Sequence, residues 1–203
     1  MTPERSGSGN VSRETSDRLE LYLDLLAKWN KAINLVAKST ILDAWSRHFL
    51  DSSQLFPLGR GQHWADLGSG GGFPGMVVAI LAIERRPNLL VSLVEADQRK
   101  FTFLQEVARQ TGAKVNILNA RSEDVAPLGA DTLSARAFAP LPRLLAHVDR
   151  HMKADGIALF PKGARYSEEV AEARNSWKFS CEAVRSETDS QAVILKIQGV
   201  SRA

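Results

Sequence analysis

Short apolar runs and amphipathic runs alternate along most of this 203-residue chain, and the first alternation is interrupted by five glycines within ten residues. Residues 63–67 are a short apolar run, the glycine segment Asp66 to Gly75 follows, and residues 75–86 carry an apolar helical pattern stopped by Pro87. Further apolar runs lie at 89–95, 115–118, 132–137 and 157–160, separated by helical periodicity at 98–110, 141–152 and 167–177. Near-continuous apolar strands with helices between them require a parallel sheet covered on both faces, each crossover right-handed. The rhythm breaks at the end. Residues 181–186 and 192–197 are consecutive strands with no helix between them, which predicts a closing antiparallel hairpin. The expected fold is α/β, a mostly parallel, doubly wound sheet of seven strands.

Ahead of the sheet, Leu19, Tyr22, Leu23, Leu26 and Trp29 recur at three- and four-residue steps, so residues 16–31 form an amphipathic helix. A second helix is expected over 40–56, capped by Ser39, with Leu42, Trp45 and Phe49 as its apolar stripe and Pro57 and Gly59 as its stop. The expected organisation is a flexible polar tail over 1–12, an N-terminal helical extension over 13–60 and one sheet domain over 61–203. The first dozen residues lack the apolar core of a secretory signal. A single cysteine, Cys181, excludes an internal disulfide framework and a multi-cysteine zinc site. Both features point to the cytoplasm and away from membranes. A net charge of +3 is too mild to select a polyanionic partner by itself.

The glycine segment sits where the first strand hands over to the first helix, the usual ligand crevice of an open α/β sheet. Read from Gly70, the residues Gly70, Gly72 and Gly75 satisfy the G-x-G-x-x-G dinucleotide pattern, a weak signal alone. Read from Asp66, the segment is acidic-x-Gly-x-Gly-x-Gly, which is similar to the first motif of S-adenosylmethionine-dependent methyltransferases, whose carboxylate helps hold the methionine end. The second register is preferred, because counting from Gly68 puts bulky Phe73 where a dinucleotide fold needs a small residue. Glu95, at the end of the second strand, is placed to accept hydrogen bonds from both hydroxyls of a ribose, or else is an exposed strand-end acid. The segment Asn119-Ala120-Arg121-Ser122-Glu123 follows the third strand, where an adenine ring would lie. Arg136, after the fourth strand, is suited either to the cofactor or to an RNA phosphate.

Absent groups narrow the acceptor. Methylation at carbon 5 of a pyrimidine needs an attacking thiolate, and Cys181 lies on the late hairpin. Methylation of an exocyclic amine usually employs an Asp/Asn-Pro-Pro-Tyr/Phe loop, where this chain has Ser134 to Phe138 with no such pattern. Guanine N(7) has an in-plane lone pair and no proton to remove, so orientation supplies most of the catalysis. His147 and His151 lie four apart but lack a third ligand, and no metal is expected. Asn30, Asn34 and His48 are read as packing residues that fix the extension to the sheet.

Taken together, the blocks at 28–35, 47–52 and 66–75, then Arg121-Ser122-Glu123, Ser134 to Phe138 and Lys162-Gly163, resemble those of the RsmG (GidB) family in order and over nearly the whole chain. Arg-Ser-Glu stands where many members have Arg-Val-Glu, Glu95 where many have Asp, and Pro161 where many have Leu. The resemblance implies a Rossmann-like class I fold and methyl transfer from S-adenosyl-L-methionine to N(7) of a guanine in 16S rRNA, at position 527 of the reference numbering. It implies cofactor contacts from Gly68, Phe73, Ser122, Glu123 and Arg136, joining Asp66, Gly70 and Glu95 from the motif reading. Arg136 and Lys162 are the candidates for a catalytic role, Lys162 as a cation near the target or as a solvated strand-end lysine. The expected partner is the small ribosomal subunit, met by a monomer. A methyltransferase for another acceptor, and a non-catalytic RNA-binding assembly protein, are the alternative readings.

Overall fold

The computed structural model describes residues 11–203, so the tail expected over 1–12 lies outside the described residues except for Val11 and Ser12. Helix α1 (Arg13–Trp29) begins where the Ser12 hydroxyl accepts the Thr15 amide at 3.2 Å, satisfying a first-turn donor that has no helical partner. Its buried stripe is Leu19, Tyr22, Leu25 and Leu26.

The single helix expected over 40–56 is a correction. The chain makes a 3₁₀ turn at Lys38–Thr40, a π-helical stretch at Trp45–Leu50, one α-helical turn, α2 (Asp51–Ser53), and a second 3₁₀ turn at Phe56–Leu58. Ser39 lies inside the first turn and caps nothing, while Leu42 is 99% exposed. The wider π turn lets the neighbours His48 and Phe49 both face inward, an arrangement that a 3.6-residue stripe does not anticipate.

The remaining elements are β1 (His63–Leu67), α3 (Gly75–Arg85), β2 (Leu90–Val94), α4 (Gln98–Thr111), β3 (Val115–Leu118), β4 (Ala130–Ser134), α5 (Leu141–His151), β5 (Met152–Lys162), α6 (Tyr166–Ala173), β6 (Trp177–Arg185) and β7 (Val193–Arg202). They build one seven-stranded sheet in the order β3-β2-β1-β4-β5-β7-β6. β1 pairs in parallel with both β2 and β4, so the winding reverses between β1 and β4 and opens a crevice beyond their C-terminal ends. β7 runs antiparallel to both β5 and β6, the closing hairpin that the sequence indicates.

Two apolar layers cover the sheet. On one face α3 is buried from Gly75 to Ala82, because it lies between the strands and α1, and a helix apolar on all sides needs cover on all sides. On the other face α5 seats Leu141, Leu144, Leu145 and Val148 against β4 and β5. Helix α4 is fixed at both ends: the Asp97 carboxylate accepts the Arg99 and Lys100 amides, and Gly112 ends the helix at φ 72°. Among the described residues, no helix is long and apolar enough to cross a membrane.

Candidate functional site

Two clefts meet at the C-terminal ends of β1 and β4. The first, of about 360 Å³, is lined by Gly68, Gly70, Glu95, Ser122, Glu123 and Phe138 among others. The second, of about 640 Å³, is lined by residues of the N-terminal extension, by Arg136 and Lys162, and by the β6–β7 connection. Ala137 lines both. Of the eight sequence-derived cofactor residues, five therefore share one cleft, while Asp66, Phe73 and Arg136 lie elsewhere.

Glu95 is 7% exposed, and each of its carboxylate oxygens holds one backbone amide: Oε2 accepts Gly70 at 2.7 Å and Oε1 accepts Asp97 at 2.8 Å. A carboxylate has about four acceptor sites, so one on each oxygen stays available to a pair of vicinal hydroxyls. Asn119 donates to the Glu95 carbonyl at 2.9 Å and ties the β3 end to the β2 end. The 3₁₀ turn at Ser122–Asp124 forms the opposite wall, and α5 holds it. The Ser122 hydroxyl lies 3.3 Å from His147 Nδ1, and the His151 imidazole donates to the Ser122 carbonyl at 2.9 Å. Burial lowers the pKa of both histidines, which keeps them neutral supports of this wall.

Asp66 is fully buried beneath the glycine loop and does not line the cleft. Its carboxylate accepts the Ser134 hydroxyl at 2.6 Å and the Gly75 amide at 3.2 Å, joining β1 to β4 and to the start of α3. Burial raises its pKa from 3.8 to about 6, although the Ser134 and Gly75 hydrogen bonds pull the other way. An acid whose folded value is raised favours folding while protonated. That contribution is complete below about 3.8 and is lost as pH rises through about 6. Wild-type stability relative to Asp66→Asn is therefore expected to fall by roughly 2–3 kcal/mol between pH 4 and pH 7. Urea unfolding of both proteins across that range checks it, and a flat difference would refute the assignment.

Phe73 faces the extension rather than the first cleft. It stacks on Tyr22 with centroids 5.4 Å apart, meets Phe49 edge-on at 5.2 Å and lies 5.2 Å from His48. Tyr22, which sequence reasoning passed over as an ordinary core residue, donates its hydroxyl to the Gly71 carbonyl and so fastens α1 to the glycine loop. Tyr22→Phe leaves that buried carbonyl without its donor. The expected loss is about 1–2 kcal/mol, a fall of a few degrees in the thermal midpoint, measurable by calorimetry.

Arg136 spans from the sheet to the extension. Its guanidinium donates to Asp51 at 3.4 Å, to the Arg47 carbonyl at 3.2 Å and to His48 Nδ1 at 3.1 Å, and it lies 5.0 Å over the Phe73 ring. Arginine has donors only, so His48 Nδ1 must accept, and His48 Nε2 carries the proton toward Thr40 Oγ1 at 2.8 Å. Burial, and then the Arg136 and Arg47 charges, lower the His48 pKa to about 4. His48 is thus a neutral link, in keeping with its packing role. Asn30 is another, its side-chain oxygen accepting the Leu35 and Val36 amides at 2.9 and 3.0 Å. Asn34 is exposed instead.

Asp51 also accepts Thr188 Oγ1 at 2.8 Å, and Gln54 accepts the Glu187 amide at 2.9 Å. These bonds hold the β6–β7 connection against the extension and close the far side of the second cleft. Lys162 is not a solvated lysine. It is 12% exposed and donates to Glu169 at 2.7 Å and to the Ala139 carbonyl at 3.2 Å, fixing the segment after Ala137 to α6.

The arrangement is similar to known proteins. The family model of GidB, rRNA small subunit methyltransferase G, matches residues 15–194. A Ruegeria pomeroyi protein named ribosomal RNA small subunit methyltransferase G is 50% identical over 203 residues, 100% of this chain and 99% of the relative. Among solved structures, a Lactobacillus delbrueckii ribosomal protein L11 methylase superposes with a TM-score of 0.59 at 19% identity, covering 77% of this chain and 79% of that one. A Pyrococcus abyssi tRNA (uracil-54, C5)-methyltransferase, solved in complex with S-adenosyl-L-homocysteine, has a TM-score of 0.52 at 15% identity over 72% of this chain and 36% of that one.

Proposed function

The chain belongs to the rRNA small subunit methyltransferase G family, and from that premise we propose that it transfers the methyl group of S-adenosyl-L-methionine to N(7) of a guanine in 16S rRNA, at reference position 527. One observation carries the reading. A cleft with a carboxylate that keeps two free acceptor sites opens, at Ala137, into a larger cleft bordered by Arg136 and Lys162.

The first cleft fits a nucleoside in size and chemistry. Glu95 would take the ribose hydroxyls, the Ser122–Glu123 turn would flank the adenine, and Gly68 and Gly70 would leave room for the methionine end. S-adenosylmethionine supplies, when bound, an electrophilic methyl group on a sulfonium. The protein's share is orientation: N(7) carries a free lone pair, so no side chain has to remove a proton before attack. His48, with both ring nitrogens engaged and a pKa near 4, is not asked to act as a base. Asp66, Phe73 and Arg136 are assigned supporting roles beneath and beside the loop. The enzyme works in the cytoplasm as a monomer.

The test is transfer of tritiated methyl to small subunits that lack the modification, followed by chemical cleavage at N(7)-methylguanine. Label at one guanine of 16S rRNA is expected. Label in protein, at another base or nowhere would overturn the proposal. Affinity for the subunit should fall steeply as salt rises, as phosphate contacts require, whereas a small neutral acceptor would show no such slope.

A further inference from the structure

Phe138 is the only aromatic among the large hydrophobic side chains that stand exposed in the described residues, at 36%. It is not a stray surface residue. It lines the first cleft and also a neighbouring one of about 540 Å³ that contains Lys162 and Arg165. The ring lies so close to the Gly68 backbone that a Cβ at that position would come within 2.2 Å of Phe138 Cδ2. The ring makes a T-shaped contact with His147, 5.3 Å between centroids at 64°. The residue before it, Ala137, has φ 51°, a left-handed conformation that a non-glycine residue adopts only when its surroundings enforce it. Enforcement is visible: Lys162 holds the Ala139 carbonyl, and Glu169 holds the Leu141 amide at 2.9 Å. A strained, doubly anchored backbone thus presents an aromatic face where the clefts join.

We infer that Phe138 is the stacking platform for the acceptor base, a positioning and specificity residue for the reaction proposed above, on which this inference rests. An aromatic face grips an unstacked base without touching its edge, which leaves N(7) free while fixing the plane of the ring relative to the methyl donor. The contact with Gly68 and the T-shaped contact with His147 hold the phenyl ring, and the side toward the neighbouring cleft receives the base. Glu168 and Glu172 border that cleft, and their carboxylates suit the N–H groups of a guanine edge better than they suit a phosphate.

The experiment compares wild type with Phe138→Ala, Phe138→Tyr and Phe138→Trp in two measurements: methyl transfer to undermodified small subunits, and calorimetric affinity for S-adenosylhomocysteine. Phe138→Ala should lower kcat/KM for the subunit by about ten- to a hundred-fold, the loss typical of a removed base stack, with a clearly smaller loss of cofactor affinity, since the ring also borders the first cleft. The tyrosine and tryptophan variants should recover most of that loss, since each keeps a π face. Unchanged transfer in Phe138→Ala, an equal loss of cofactor affinity, or no recovery with either aromatic in proteins that fold by circular dichroism overturns the inference. If wild type itself transfers nothing, the function proposal fails and takes this inference with it. Failure in the variants alone leaves that proposal standing.

Discussion

Gly70→Val is expected to lower affinity for S-adenosylmethionine by at least about a hundred-fold. Gly70 has φ 58°, a region that costs an ordinary L-residue roughly 1–2 kcal/mol and a β-branched one more. Its missing Cβ would meet nothing nearer than the Gly68 carbonyl at 3.8 Å, so the isopropyl group would project into the cleft. If the backbone instead turns to relieve the strain, the Gly70 amide moves off Glu95, and the carboxylate proposed to take the ribose loses one of the two amides that brace it. Both routes damage the same site. Calorimetric titration reads the loss, and circular dichroism should report a folded protein with a thermal midpoint only a few degrees lower. An affinity within ten-fold of wild type would show that the nucleoside does not lie against this loop.

Arg136→Ala should have the second-largest effect, and it should reach stability as well as transfer. From sequence alone the expectation is a rim arginine whose loss harms transfer more than folding. In the structure Arg136 and Asp51 are each only 19% exposed, and removal of the guanidinium strips a charge partner from Asp51 and a donor from His48. Unpairing a buried charge is strongly destabilising, and at this partial exposure the expected loss is about 2–3 kcal/mol. Transfer should fall about a hundred-fold, because the joint between extension and sheet shapes the second cleft. Two readouts separate this from general damage. The stability losses of Arg136→Ala and Asp51→Ala should sum to more than the loss in the double variant, since the pair is broken once. The His48 pKa, read by NMR, should rise from about 4 once the Arg136 charge is gone, though burial will keep it below 6.5. Strict additivity or an unmoved His48 would remove the pair from the account.

Much of this architecture is legible in local pattern. The period of the apolar residues locates β1, α3 and the closing hairpin, and the glycine segment marks the switch in strand order because a ligand crevice there demands little side-chain bulk. That Glu95 and Ser122 line the first cleft is readable for the same reason: the segments that follow strand ends over a crevice are fixed by topology. The placement of Asp66 and Phe73 outside that cleft is not readable. A one-dimensional motif does not distinguish a residue that faces the cleft from its neighbour that braces the loop from behind. Nor does it show Tyr22 reaching Gly71 or Asp51 reaching Thr188, contacts separated by 49 and 137 residues. The π-helical stretch at Trp45–Leu50 escapes for a further reason. Its shape answers to His48 and Phe49 being drawn inward together by Arg136 and Phe73, a demand from tertiary structure that overrides helical periodicity.

The place of β7 between β5 and β6 sets an order of events during synthesis. β6 leaves the ribosome before the strand it must pair with, and until residues 193–202 emerge β5 presents an open edge. The glycine loop and Glu95 belong to the early half of the nascent chain, whereas the wall carrying Thr188 and Asp189 lies in the connection that leads into that last strand and is held by Asp51 and Gln54 of the extension. Without residues 193–202, β5 would lack its antiparallel partner and the second cleft would lose part of the frame that carries its far wall.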